Sequence, residues 1–285
     1  MLIQPYQADE LKFAWCYRVF FRWRTWRRRP IPALAGLTTE SMNFRLEQYQ
    51  VRLLEFGSDT LDIRAIASLQ PQESTATAAS KTKGQLCRAV SEQVSSNQKT
   101  FARGYFAATV GTSTANEVKN YLDTQSEHHG YDRRPQPPTH VAVFVRDAAT
   151  PELLATDHAV TSLRFHIVLA TWKRQGVFTS EAAKAVVANW RDQQAKLRVV
   201  FDKFSFLPDH VHIAVEVHPT VSPALLVTKL MNVSQEFAFE NFPENVIRAK
   251  AERLWQPSAY IGSFGNLTTA AMKSYIDRWG RAKAE

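Results

Sequence analysis

The chain has 285 residues, 45% of them hydrophobic, which supports a buried core in one large or two small domains and excludes global disorder. Lys and Arg number 35 against 27 Asp and Glu, a formal charge of +8 that favours a polyanionic partner. Cys16 and Cys87 lack metal or disulfide spacing, Met1–Glu10 lacks an apolar signal core, and the early apolar run is broken by Arg18, so a reduced, cytoplasmic chain with no membrane association is expected.

In chain order, Lys12 to Arg29 reads as one strand region, aromatics interleaved with arginines and ending in TWRRR. DIRAIASLQP follows at Asp62 to Pro71. Lys99 to Gln125 then reads as a short strand, a glycine turn, a Thr/Ser-rich helix start and a helix carrying Tyr121. HHGYDRRPQPP (His128 to Pro138) has linker composition and precedes a short strand-like HVAVFV. Phe165 to Lys173 is the next strand, and helices are expected over Ser180 to Ala195 and Ser222 to Phe239. Between them HVHIAVEVHP alternates like a half-buried strand, and Arg253 to Trp279 closes the chain with another strand, glycine turn and tyrosine helix.

The second half repeats the first. Setting Gly111 against Gly265 aligns Lys119 with Lys273, Tyr121 with Tyr275 and Asp123 with Asp277 without a gap. TWRRR corresponds to TWKRQ at Thr171 to Gln175, and DIRAIASLQP to HVHIAVEVHP at His210 to Pro219. This predicts two related modules, residues 1–127 and 158–285, joined by a linker over 128–157. Each is expected as an α+β, ferredoxin-like (RRM-like) sandwich, an antiparallel sheet with helices on one face.

His210 and His212 stand at i and i+2 of a strand, so their imidazoles share a face and can hold a divalent ion. A solvated strand face would also explain them. FLPDHVHIAVEVHP, the later LWQPSAYIGSFG and KSYID, and the opening FHIVLATWK with His166 resemble the HUH one-tyrosine transposases of bacterial insertion sequences and their REP-associated relatives. The resemblance covers nearly all of the second module and, more faintly, the first.

That resemblance implies Mg²⁺ or Mn²⁺ on the histidine pair, a helix tyrosine that attacks DNA to leave a 5′-phosphotyrosine and a free 3′-OH, and a glutamine one turn later as third ligand. The halves depart from this pattern in complementary ways. The first has Tyr121 and Gln125 but Asp62 and Arg64 in the histidine places; the second has His210 and His212 but Trp279 in the glutamine place. A fused pseudo-dimer would build one composite site from His210, His212, Tyr121 and Gln125. Its rival is a site in cis with Tyr275 as nucleophile. The composite is favoured because Gln125 survives only beside Tyr121.

The expected activity is metal-dependent nicking and rejoining of single-stranded, hairpin-bearing DNA by a transposase or a domesticated descendant, with higher oligomers as one way to supply more sites. The alternative is an inactive DNA- or RNA-hairpin binder of the same fold. Arg22, Arg24, Arg27, Arg28, Arg29, Lys83, Lys173 and Arg174 are the candidate DNA contacts, and the aromatics of the first strand region are candidate stacking platforms.

Overall fold

A computed structural model describes residues 5–93, 99–123, 140–146, 150–248 and 250–266. Two sheets dominate. The first is ordered β3-β4-β2-β5-β7, from β2 (Arg18–Arg24), β3 (Val51–Ser58), β4 (Asp62–Leu69), β5 (Tyr105–Val110) and β7 (Ala159–Ser162). The second is ordered β1-β11-β8-β10-β9-β6, from β1 (Lys12–Cys16), β6 (His140–Val143), β8 (Arg164–Thr171), β9 (Val199–Leu207), β10 (His210–Val217) and β11 (Trp255–Phe264). The helices are α1 (Thr39–Leu46), α2 (Thr75–Gln93), α3 (Ala115–Asp123), α4 (Thr150–Leu154), α5 (Ser180–Asp192), α6 (Gln194–Leu197), α7 (Pro223–Asn241) and α8 (Pro243–Arg248). None of the described helices is long and apolar enough to cross a membrane.

Strand alternation sets which side chains enter the core. On β8, Phe165, Ile167 and Leu169 point into it while His166 and Val168 take the opposite face. Helices α5 and α7 close the core side, where Trp190 stacks on Phe204, Phe206 and Trp255 and donates its indole N–H to the Leu230 carbonyl at 3.0 Å.

The halves repeat one another in backbone detail. Strands β3-β4-β2-β5 and β9-β10-β8-β11 lie in the same order, and the ladders of β3 and β9 each skip one residue, Leu54 and Asp202. Gln50 and Arg198, just before those strands, share a left-handed φ of 56° and 55°. Arg27 and Arg28 (50° and 54°) match Lys173 and Arg174 (50° and 57°).

The expectation of one strand region over Lys12 to Arg29 is corrected. At Tyr17 the chain leaves one sheet for the other: β1 runs parallel to β11 of the second half, and β2 begins the first-half sheet. Reciprocally, β7 runs parallel to β5 before β8 opens the second-half sheet. The reason is burial, because Tyr17 sits in the shared core with its ring edge-on to Phe165 and its hydroxyl 2.8 Å from Thr75 Oγ1. Within 128–157, the short strand expected in HVAVFV is β6, which pairs with β9, and α4 follows it. Helices on one face was incomplete as well. The amphipathic helix α3 lies on the opposite face of the second-half sheet, with Val118 and Leu122 buried against Ala214 and Phe264.

Two glycines permit the crossing. A Cβ on Gly111 would come 2.3 Å from the Ser263 carbonyl oxygen, and one on Gly104 would come 1.9 Å from that of His158. Both obstacles are backbone and cannot rotate away. Gly111→Ala and Gly104→Ala are therefore expected to destabilise the protein by about 1–3 kcal/mol or more. Gly84→Ala, at an exposed position of α2 with open space around it, should stabilise by about 1 kcal/mol. Urea midpoints of the three variants check this.

Candidate active site

A two-residue turn, Pro208-Asp209, reverses the chain between β9 and β10, so that His210 opens β10 paired with Leu207. His210 and His212 then share one face, ring centroids 5.0 Å apart. His166 joins them from β8, where its register partner is Ala214, and lies diagonally across from His212. The rings of His166 and His212 stack at 5.2 Å with 16° between planes, and His166 Nε2 is 2.9 Å from His212 Nδ1.

His210 and His212 thus each have Nδ1 engaged inside the protein. His210 Nδ1 is 2.6 Å from Asp209 Oδ1, and Asp209 Oδ2 is 2.9 Å from Arg174 Nε. Burial pushes the Asp209 carboxyl up, but the hydrogen bond and charge of His210, with the charge of Arg174, bring it below the usual carboxylate range. Burial lowers the His166 pKa to about 4, so this ring is neutral at physiological pH. Tyr260 lies edge-on to His166 at 5.9 Å and crosses over Gly262, where a Cβ would meet its hydroxyl at 2.7 Å. Side chain and glycine together wall the site.

Helix α3 covers this face. It begins with a reciprocal cap in which Thr114 N–H donates to Glu117 and Glu117 N–H to Thr114 Oγ1. Val118 and Leu122 seat it on Ala214, two residues beyond His212. His210 and His212 are 1% and 4% exposed. Position 121 lies in the last turn of α3; Gln125, Tyr275, Asp277 and Trp279 lie outside the described residues.

The donor set fits a divalent cation in part. Two imidazoles side by side, each held at Nδ1 by a neighbour, would ligate through Nε2. Among the described residues no group of three or more His, Cys, Asp or Glu side chains forms a metal cage, so a third ligand has to come from elsewhere.

The first half answers the same positions differently. Phe20 faces Ile66 as His166 faces Ala214, while Asp62 and Arg64 stand where the second half has its histidine pair. Arg64 is 2% exposed on its side chain and lies 3.3 Å from Asp62 and 3.4 Å from Asp59; Arg22 meets Asp62 at 2.7 Å and Arg24 at 3.8 Å. A buried guanidinium between carboxylates leaves no place for a metal ion.

The candidate DNA contacts divide. Arg22 and Arg24 serve this ion network. Lys83 donates to the Ala102 and Arg103 carbonyls, and burial lowers its pKa. Arg27, Arg28 and Arg29 are exposed on a left-handed turn after Trp26, with Arg27 over the indole. Lys173 and Arg174 occupy the matching turn, Lys173 over Trp172 and within 3.7 Å of Glu252. Among the proposed stacking aromatics, Tyr17, Phe21 and Trp23 are buried in the main core and Phe20 is buried with Ile66 and Val110 on the other face of the sheet; Trp15 remains 44% exposed.

Sequence reasoning placed His166 only by resemblance and passed over Asp209 as an orienting group. Alternation along FHIVLAT already put His166 on the polar face, but which neighbour it met depended on strand register.

Because His166 stays neutral in the fold but protonates near pH 6.5 when unfolded, the unfolded chain binds the extra proton between those values. Stability is therefore expected to fall as pH drops from 6.5 towards 4, by up to about 3 kcal/mol. His166→Phe should remove that part of the slope in denaturation measured across this range.

The family model described as Transposase IS200 like matches residues 17–125 and again residues 159–278. The ISDra2 transposase TnpA of Deinococcus radiodurans is 25% identical over 118 residues, 41% of this chain and 84% of that protein. A crystal structure described as a transposase from Deinococcus radiodurans R1 is 24% identical, with a TM-score of 0.35, covering 44% of this chain and 95% of that one. Two matches in tandem take in most of the sequence, and the chain belongs to the IS200-like transposases, the HUH one-tyrosine family.

Proposed function

We propose that this protein nicks and rejoins single-stranded DNA beside a hairpin, using Tyr121 of the first half and the His210–His212 pair of the second. The observation that carries the reading is the seating of α3. Its residues Val118 and Leu122, which bracket position 121, are buried on the histidine face of the other half. The halves are read as two ferredoxin-like modules fused into a pseudo-dimer, residues 1–127 and 158–285. In support, the strand order is the same in both, and the exchange of β1 and β7 is reciprocal.

In this reading the Tyr121 oxygen attacks phosphorus, the P–O3′ bond breaks, and the 3′ oxygen leaves as a hydroxyl after taking up a proton. A 5′-phosphotyrosine remains, and attack by a 3′-OH reverses the step to join strands. His210, His212 and Gln125 would hold Mg²⁺ or Mn²⁺, which when bound neutralises charge developing on the phosphate. Asp209 and Arg174 keep His210 oriented. The counterpart set of Phe20, Asp62 and Arg64 offers no second cation site, so one chain carries one working centre.

The deep burial of the histidines under α3 also suits the other reading, a hairpin binder without chemistry. A labelled hairpin with a single-stranded flank separates the two by covalent trapping on a denaturing gel. Adduct is expected with Mn²⁺, to be lost with chelator, in His210→Ala and in Tyr121→Phe, and to persist in Tyr275→Phe. Adduct retained in Tyr121→Phe and lost in Tyr275→Phe would place the nucleophile in cis; no adduct in wild type supports binding alone.

For the basic turns, replacing Arg27, Arg28 and Arg29 with Gln is expected to flatten the log–log salt dependence of DNA binding by about 2 units. An unchanged slope in a filter-binding titration removes that turn from the interface.

A further inference from the structure

We propose that His166 is a positioning residue: its Nε2 accepts the Nδ1–H of His212 and so holds His212 in the tautomer that presents Nε2 to a cation. The inference rests on the reading of His210 and His212 as metal ligands. Two imidazole nitrogens 2.9 Å apart form a hydrogen bond only if one donates and the other accepts. Were His166 the donor, a neutral His212 would carry its proton on Nε2 and have no lone pair there to ligate with. Ligation through Nε2 therefore selects the arrangement in which His212 donates and His166 accepts. His210 meets the same requirement through Asp209, whose carboxylate oxygen at 2.6 Å accepts from Nδ1.

The placement of His166 is closely held. It is locked into register opposite Ala214, stacked within 16° of the His212 plane, and flanked edge-on by Tyr260, which has room because residue 262 is glycine. The first half differs at both positions: Phe20 stands in the place of the acceptor and Arg64 in the place of the ligand.

The test uses the full chain, metal-free and labelled with ¹⁵N-histidine, and reads the His212 tautomer from long-range ¹H–¹⁵N correlations. Wild type and His166→Gln, whose Oε1 keeps an acceptor, are expected to show His212 protonated at Nδ1. His166→Phe, which keeps the bulk without the acceptor, is expected to lose that preference. Calorimetric Mn²⁺ affinity should weaken about 10- to 100-fold in His166→Phe and recover to within a few-fold in His166→Gln.

A wild-type His212 protonated at Nε2 overturns the proposal whatever the variants do. So does a His166→Phe variant with unchanged tautomer or unchanged Mn²⁺ affinity beside a wild type that binds. If wild type and the His210→Ala/His212→Ala double variant take up Mn²⁺ equally, the metal reading fails. The tautomer measurement then still decides what His166 does.

Discussion

Two hydroxyls stitch the sheets together where their strands cross, and the relation of the halves depends on them. Thr109 Oγ1 accepts the Arg164 N–H at 2.8 Å and donates to the Phe264 carbonyl at 2.6 Å. Ser263 Oγ accepts the Arg18 N–H at 2.9 Å and reaches the Val110 carbonyl at 2.7 Å. These are the same bonds made in opposite directions. At the helix starts the pattern recurs, Ala76 N–H bonding Pro219 O at 2.8 Å and Ala224 N–H bonding Pro71 O at 2.9 Å. Backbone groups at a sheet crossing have to be satisfied, and here each half satisfies those of the other. A single cluster of buried apolar residues accordingly runs through both.

This exchange explains how a duplicated chain could let its halves diverge. Once β1, β7 and α3 are contributed across the boundary, the polar face of each sheet is no longer answerable only to its own module. The second half kept imidazoles there; the first filled the equivalent positions with a phenylalanine and a buried Arg–Asp network. Both solutions engage polar side chains inside the protein, but only the imidazoles, held at Nδ1, have a chemistry that lets Nε2 ligate a cation.

The two halves share backbone conformation as well as sequence at the turn that ends each opening strand. Arg27 and Lys173 hold the same left-handed φ of 50°, followed by Arg28 and Arg174 at 54° and 57°. A non-glycine residue in this region carries a conformational cost, which persists where surrounding bonds demand it. Here the flanking threonines demand it: Thr25 and Thr171 are both buried, and their N–H groups donate to Leu61 and Asp209 carbonyls at 2.9 Å. The turn is thus a consequence of how each opening strand ends, and its outward basic side chains follow from that.

What the amino-acid order determined by itself was the internal repeat, seen by laying one half on the other, and, locally, the alternation that puts His210 and His212 on one face of their strand, the glycine turns and the helix starts. The local features are set by periodicity and by residues a few positions apart, so they are legible along the chain. Its reading of Lys12 to Arg29 as one strand region failed because aromatic strand residues look alike whether buried or exposed. Only packing shows that Tyr17 turns the chain into the neighbouring sheet. The tertiary structure alone decided that α3 of one half lies on the histidine face of the other, that His166 meets His212, and that Lys83 and Arg22 turn inward. Those outcomes depend on register and sheet crossing, contacts between residues from about twenty to about 150 positions apart for which no short-range pattern is a proxy.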